Sequence, residues 1–209
     1  MIELVVVDDH AIFRESVRAL LEADRKMKVI AEASSGAEVV DLVRVYRPDL
    51  TLLDVSMPGQ SGLEALVELK QFDAGAKVLI LTARPEDSFA LRCLRAGADG
   101  YLTKQQAGLV LLEAVRRICS GGKYVSPDLA GLLVSEVCDE VSVAAEVLSD
   151  REFEVLCMVG SGKSFKRIAA ELCLSPKTIA TYRSRVGQKL HLRTTADLVR
   201  FALQENLCL

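Results

Sequence analysis

The chain predicts two architectures in series: an α/β unit built on a doubly wound five-stranded parallel sheet, then a small all-α four-helix unit. Three observations carry this. Five short apolar runs alternate with segments of helical spacing over residues 1–120. A break rich in Gly, Ser and Pro, "SGGKYVSPD", follows them. From residue 148 onward helical periodicity is almost continuous.

The strand-like runs are "ELVVVDD" (3–9), "KVIAEAS" (28–34), "LTLLDV" (50–55), "KVLILTA" (77–83) and "DGYLTK" (99–104). Unbroken apolar stretches such as Val5, Val6 and Val7 suit strands covered on both faces. Between them, Phe13, Val17, Leu20 and Leu21 fall on one helical face. Val39, Leu42, Val43 and Tyr46 repeat that spacing, as do Leu63, Leu66 and Leu69. A helix over 107–119 closes this unit, a short one follows at 127–137, and "CDEVSVAAEV" (138–147) reads as linker. The resulting organisation is 1–120, a partly helical linker at 121–147, and 148–209.

Composition narrows the function classes. Half of the 209 residues are hydrophobic, enough for packed cores. No apolar run reaches the roughly 18 residues of a membrane span, so no membrane partner is expected. The amino terminus has neither a basic leader nor a cleavage site, so no signal peptide is expected. Six cysteines form no C-x-x-C pair and stand beside two histidines, so no zinc constellation is readable. Scattered cysteines without a secretion signal suggest reduced thiols in a cytoplasm. The net charge of −3 hides an asymmetry. Lys and Arg outnumber Asp and Glu ten to six from residue 148 onward, but fall short 16 to 23 before it. The acidic front and basic back point to different partners, with nucleic acid the candidate for the back.

The chemistry gathers at strand ends. The first strand ends on Asp8 and Asp9, the third on Asp54, the fourth on Thr82 and the fifth on Lys104. In a parallel doubly wound sheet these ends can converge on one crevice. Three carboxylates there favour a divalent cation, with a lysine offsetting part of the charge. Taken singly, each residue has an ordinary use: Asp54 as a loop acid, Thr82 as a β-branched strand residue, Lys104 as a solvated charge, Tyr101 as half-buried core. His10, next to the acidic pair, reads as a surface histidine.

About residues 1–120 resemble the receiver domain of bacterial two-component response regulators, a flavodoxin-like fold. The carrying residues are the Asp8–Asp9 pair, Asp54 within "LLDVSMPGQSG", Thr82, Tyr101 and Lys104. The resemblance implies that Asp54 is the phosphoacceptor. It implies Mg²⁺ held by Asp9, Asp54 and the Ser56 backbone carbonyl, with Asp8 acting through water. Thr82 and Tyr101 match switch positions, Lys104 matches the lysine that pairs with the phosphoryl group, and Pro58 and Gly59 match the turn after the acceptor. Gln105 stands where many relatives carry proline.

The tail parses into four helices. Ser149 with Glu152 forms a candidate capping box. Gly160 and Gly162 end the first helix, and Ser164 caps the second. A tight turn at Cys173–Leu174 leads to Ser175 and Pro176, and Thr194 or Thr195 opens the fourth helix. Helix, tight turn, helix is the arrangement whose second helix enters a major groove. From Pro176 to Leu190 there is no acidic residue. Ile179, Val186 and Leu190 form its core face, with Lys177, Ala180, Thr181, Ser184 and Gln188 opposite; a basic solvated helix in a bundle would also fit.

Residues 146–205 resemble the LuxR-type helix-turn-helix through "LSDREFEVL", "GKSFKRIAAEL" and "LSPKTIATYRSRVGQKL". Together the two units resemble the NarL/FixJ subfamily. By that resemblance Ala180, Thr181 and Ser184 face bases, while Lys177, Thr178, Tyr182, Arg185 and Lys189 face phosphates. Tyr182 stands where histidine is common. Cys173 occupies a bend often held by glycine, so that corner is expected to avoid positive φ. The implied protein is not an enzyme with an independent substrate. It is a cytoplasmic transcription factor, phosphorylated by a sensor histidine kinase and binding double-stranded promoter DNA as a phosphorylation-dependent homodimer. Two rivals are an aspartyl-phosphate phosphatase and a phosphorylation-independent regulator or protein-interaction module with a vestigial receiver. The first usually carries a second acid two residues after its nucleophile, where Ala11 follows Asp9.

Overall fold

The computed structural model describes residues 1–57, 62–83, 88–138, 148–205 and 207. The chain divides into two compact units, Met1–Glu86 with Cys93–Asp128, and Asp87–Arg92 with Leu129–Leu209.

From the amino terminus the elements run β1 (Ile2–Val7), α1 (Ala11–Glu22), β2 (Met27–Ala33), α2 (Val39–Tyr46), β3 (Leu50–Leu53), α3 (Gly62–Phe72), β4 (Val78–Thr82), α4 (Ser88–Arg95), β5 (Gly100–Thr103) and α5 (Lys104–Cys119). The five strands form one sheet in the order β2-β1-β3-β4-β5, and every pairing is parallel. The order reverses at β1, so a crevice opens beyond the carboxyl ends of β1 and β3. Alternate strand residues Leu4, Val6, Leu50, Leu52, Leu79 and Leu81 join Val17 and Leu21 of α1 and Leu111, Val115 and Ile118 of α5 in one buried cluster. Val5, Val7, Leu53 and Ile80 are equally buried on the other face. This two-sided cover explains why the strands read as continuous apolar runs.

The strands stop earlier than the sequence predicts, because their last polar residues leave the ladder to face the crevice. β1 ends at Val7, although Asp8 N–H still donates to the Ala33 carbonyl at 3.1 Å. Lys104 does not end a strand but begins α5. Thr103 caps that helix: its hydroxyl accepts from Gln106 N–H, and the Gln106 side chain accepts from Thr103 N–H. Gly62 opens α3 directly against the acceptor strand, where a Cβ would fall 2.3 Å from the Asp54 carbonyl oxygen. Only glycine permits that approach.

In the second unit, α6 (Pro127–Cys138) precedes α7 (Asp150–Gly160), α8 (Phe165–Glu171), α9 (Pro176–Lys189) and α10 (Thr195–Gln204). Of the predicted linker, residues 139–147 lie outside the described residues, as do Pro58 and Gly59. α7 packs on α9 and α10, and α8 packs on α9, around Phe153, Leu156, Ile168, Ile179, Val186, Leu198 and Ala202. Ser149, Ser164, Ser175 and Thr194 each cap a helix with a hydroxyl that accepts a backbone N–H.

The α8–α9 corner corrects one expectation. Cys173 adopts φ +53°. Its N–H donates to Ala170, and Leu174 N–H donates to Ala169 at 2.8 Å, a Schellman closure that needs a left-handed residue between. The two hydrogen bonds outweigh a conformational cost of about 1–2 kcal/mol, and the exposed thiol meets no obstacle. His191 repeats the motif after α9 at φ +57°. There Leu192 N–H reaches the Gly187 carbonyl at 2.8 Å, and a Cβ on Gly187 would fall 2.6 Å from the Leu192 carbonyl oxygen.

Candidate functional site

The crevice at the switch point gathers the predicted acidic residues. Asp8 and Asp54 are 2% and 1% exposed, and Thr82 is fully buried at the end of β4. Lys104, positioned by the first turn of α5, extends its ammonium to 2.6 Å from Asp8 Oδ2 and 2.7 Å from Asp54 Oδ2. The same ammonium lies 4.5 Å from the centre of the Phe13 ring, a cation–π contact reaching across from α1. Ser56 N–H donates to Asp54 Oδ1 at 2.8 Å. Ser56 Oγ and Thr82 Oγ1 are hydrogen-bonded at 2.9 Å. His10 N–H donates to Asp8 Oδ1 at 2.8 Å.

The electrostatics follow from burial and pairing. Burial pushes the Asp8 carboxyl above its ordinary range, against the pull of Lys104. Burial also pulls Lys104 down, but its close pairing with the Asp54 and Asp8 carboxylates outweighs this, and the ammonium is held above its ordinary value. Three carboxylates against one ammonium leave a net charge of −2 when all are ionised.

Asp9 Oδ1 and Asp54 Oδ2 are buried and accept no hydrogen bond. For Asp54 the Lys104 contact is an ion pair rather than an aligned hydrogen bond. Such oxygens, in a crevice of this charge, fit a hard divalent cation such as Mg²⁺. One atom from each of Asp8, Asp9, His10 and Asp54 lies within 4.8 Å of the others.

The predicted Asp8, Asp9, Asp54, Ser56, Thr82 and Lys104 therefore come together, and Phe13 and Arg14 join them. Ser56 contributes a hydroxyl to Thr82 and an N–H to Asp54. Phe13 flanks the lysine. Arg14 donates to the Asp8 carbonyl at 2.5 Å. Tyr101 is fully buried in β5, not half-buried. The Ser56 hydroxyl was readable as a polar residue two places after the acceptor, but its partner is 26 residues away and no local signal marks the pair.

The second candidate surface is α9. Lys177, Ala180, Thr181, Ser184, Arg185 and Lys189 are exposed, and Thr178 and Tyr182 are half-buried. Ile179 and Val186 anchor the opposite face in the core. Thr178 Oγ1 is hydrogen-bonded to the capping Ser175 Oγ at 2.8 Å. Thr181 Oγ1 donates to the Lys177 carbonyl at 3.1 Å, so its hydroxyl is already engaged.

Among the described residues Lys177 and Arg185 have no ion pair, whereas Lys189 is bound to Glu152 Oε2 at 2.6 Å. Glu152 is buried, and the same oxygen accepts from Ser149 N–H at 2.9 Å. Burial raises its pKa, but Lys189 and the Ser149 bonds outweigh that and hold it below the usual glutamate value. Arg183 donates to the Arg193 carbonyl at 2.8 Å, fixing the loop after α9.

Both parts of the chain are similar to known proteins. Residues 4–116 match the response regulator receiver domain family, and residues 146–202 match the family described as bacterial regulatory proteins, luxR family. The chain is 35% identical over 210 residues to the response regulator UvrY of Escherichia coli K12, covering 100% of this chain and 96% of that protein. It is similar to a solved two-component response regulator of the LuxR family from Aurantimonas sp. SI85-9A1 (36% identity, TM-score 0.62, 66% of this chain and 99% of that one). It shares its fold with the response regulator RcsB solved in complex with DNA (23% identity, TM-score 0.59, 98% of each chain). Among the described residues no helix is long and apolar enough to cross a membrane.

Proposed function

The chain belongs to the two-component response regulators that join a receiver domain to a LuxR-type DNA-binding domain, and on that premise we propose that it is a transcription factor switched by phosphorylation of Asp54. Members of this family are regulators rather than classical enzymes. The observation that carries the proposal is the setting of Asp54. Its carboxylate is withdrawn from solvent, faced by Lys104 at 2.7 Å and adjoined by the Ser56–Thr82 hydroxyl pair.

A phosphohistidine on a sensor kinase, or a small acyl phosphate, is the donor. An Asp54 oxygen attacks phosphorus, the bond to the donor breaks, and the donor leaves with the electron pair. Lys104 offsets charge on the phosphoryl oxygens, and its double attachment to Asp8 and Asp54 already aims it there. Asp9, Asp54 and the Ser56 carbonyl would hold Mg²⁺, with Asp8 acting through water; when bound, the ion offsets charge on the phosphoryl oxygens. Once Asp54 carries the phosphoryl group, Thr82 gains an acceptor stronger than the Ser56 hydroxyl. Its movement would bias β4 and Tyr101 on β5.

The output is double-stranded promoter DNA. Lys177, Thr178, Tyr182, Arg185 and Lys189 would meet phosphates, and Ala180, Thr181 and Ser184 base edges. Phosphorylation would favour a homodimer on two half-sites, acting in the cytoplasm. The domains would run 1–120 and 148–209 with 121–147 as linker. RcsB, a regulator of the same fold, has been solved on DNA.

The test is labelling by acetyl phosphate followed by peptide mass spectrometry. The expected result is one phosphoryl group on Asp54, absent in Asp54→Asn and in chelator. Full labelling of Asp54→Asn would overturn the assignment.

A further inference from the structure

His10 is placed as no surface histidine needs to be. It occupies the cap position of α1, yet its side chain makes no capping hydrogen bond. The ring turns back to the acidic crevice, with Nδ1 at 2.8 Å from Asp9 Oδ1 and 3.4 Å from Asp8 Oδ1. Asp9 Oδ1 is buried and accepts no hydrogen bond, although the ring nitrogen is that close. Held this close without a hydrogen bond between them, the two atoms are suited to share one positive charge.

A metal ion supplies that charge naturally. Neighbouring ligands of an octahedral ion with bonds near 2.1 Å stand about 3.0 Å apart, close to the 2.8 Å between Nδ1 and Asp9 Oδ1. The other ring nitrogen stays in water, since the side chain is 65% exposed, and water satisfies it as ligating histidines require.

The consequence is one of cation class. A set of carboxylate oxygens with a backbone carbonyl is a hard site that suits Mg²⁺. Adding an imidazole nitrogen tilts affinity towards first-row transition ions. We propose that His10 Nδ1 is a ligand of the cation held by Asp9 and Asp54, and that it makes the crevice prefer Mn²⁺-class ions over Mg²⁺. The proposal rests on the cation reading of the crevice given above. It adds that this regulator senses which divalent ion is present as well as whether a phosphodonor is.

The experiment uses the full chain with Mn²⁺ as the probe. Electron paramagnetic resonance titration gives the Mn²⁺ affinity, competition with Mg²⁺ gives the preference, and electron spin-echo modulation detects a directly bonded nitrogen. The expected result is a nitrogen coupling in the wild type that disappears in His10→Ala. Mn²⁺ affinity should fall at least about tenfold in that variant, with Mg²⁺ affinity changed less than about twofold. Labelling with ¹⁵N-histidine should shift the coupling. A wild-type spectrum without nitrogen coupling, or equal losses for both ions in His10→Ala, would overturn the proposal and show His10 to be a simple ion-pair partner of Asp9. Asp9→Ala separates the levels. It should lose both ions, and undiminished Mn²⁺ binding in that variant would overturn the cation reading together with this one.

Discussion

Thr82 Oγ1 lies 2.9 Å from Ser56 Oγ, so the last residue of β4 is tied to the residue two places beyond the phosphoacceptor. Both hydroxyls are spent on each other while Asp54 is free. A phosphoryl group offers a charged acceptor, worth more to Thr82 than a neutral hydroxyl. Thr82→Val keeps the shape and removes the donor. The expected outcome is that Asp54 is still labelled by acetyl phosphate while the gain in DNA affinity on labelling shrinks. Fluorescence anisotropy with operator DNA measures it, and an undiminished gain would remove Thr82 from the switch.

Lys104 is the counter-charge of two buried carboxylates. Replacing it with Met leaves Asp8 and Asp54 facing each other without a cation, and removing one member of a buried pair costs about 3–5 kcal/mol. Thermal unfolding in chelator should show that loss. Millimolar Mg²⁺ should restore more stability to Lys104→Met than it adds to the wild type, because a bound ion replaces the missing charge. Equal Mg²⁺ effects on the two proteins would argue against a shared site.

Glu152 gives the second unit an acid limit. Its folded pKa is depressed below the ordinary 4.5, with burial opposing and the bonds from Lys189 and Ser149 prevailing. The unfolded chain therefore holds that proton more tightly. The stabilisation is present above about pH 4.5 and is lost as pH falls through the folded value. Glu152→Gln should cost about 1–3 kcal/mol at pH 7 and flatten the fall in stability as pH drops below about 4.5. Urea unfolding across that window checks the sign; a variant with the wild-type pH slope would contradict it.

On α9 the exposed cations and the small polar residues make separable contributions. Lys177→Ala and Arg185→Ala should weaken binding to all sequences alike and reduce the salt slope by about one each. The Thr181 hydroxyl is spent on the Lys177 carbonyl, so its methyl is the group free to meet a base. Thr181→Val should then keep the sequence preference. Thr181→Ser should lose it at one position, at about 1–3 kcal/mol. Gel-shift titrations at several salt concentrations distinguish these, and unchanged binding in both cation variants would remove α9 from the groove.

What the sequence made legible were features with a local or periodic signature. Val5 to Val7 announced a strand covered on both faces, Asp8, Asp9 and Asp54 announced strand ends with a shared need for positive charge, and Ser149 with Glu152 announced a cap. Lys104 was identified as a site residue but placed at a strand end. The Thr103–Gln106 box, which starts α5 at Lys104 rather than at residue 107, was also written in the chain. Contacts between residues far apart in sequence were not readable. Ser56 and Thr82 meet because β3 and β4 are neighbours in the sheet. Lys189 meets Glu152 across 37 residues because α7 packs on α9. At Cys173, residue type argued against a left-handed φ, and the Schellman hydrogen bonds overrode it. Cys173→Gly should accordingly raise stability by up to about 1 kcal/mol, read from urea midpoints at constant slope.

The most direct test of the central claim is the affinity of the full-length protein for operator DNA with and without a phosphoryl group on Asp54. Genomic fragments retained by the phosphorylated protein supply the operator, and anisotropy at fixed salt supplies the dissociation constant. The account predicts that phosphorylation tightens binding by about tenfold or more, equivalent to about 1.4 kcal/mol, and that Asp54→Asn stays at the unphosphorylated value under the same donor. Equal affinities for the phosphorylated and unphosphorylated wild type would contradict it.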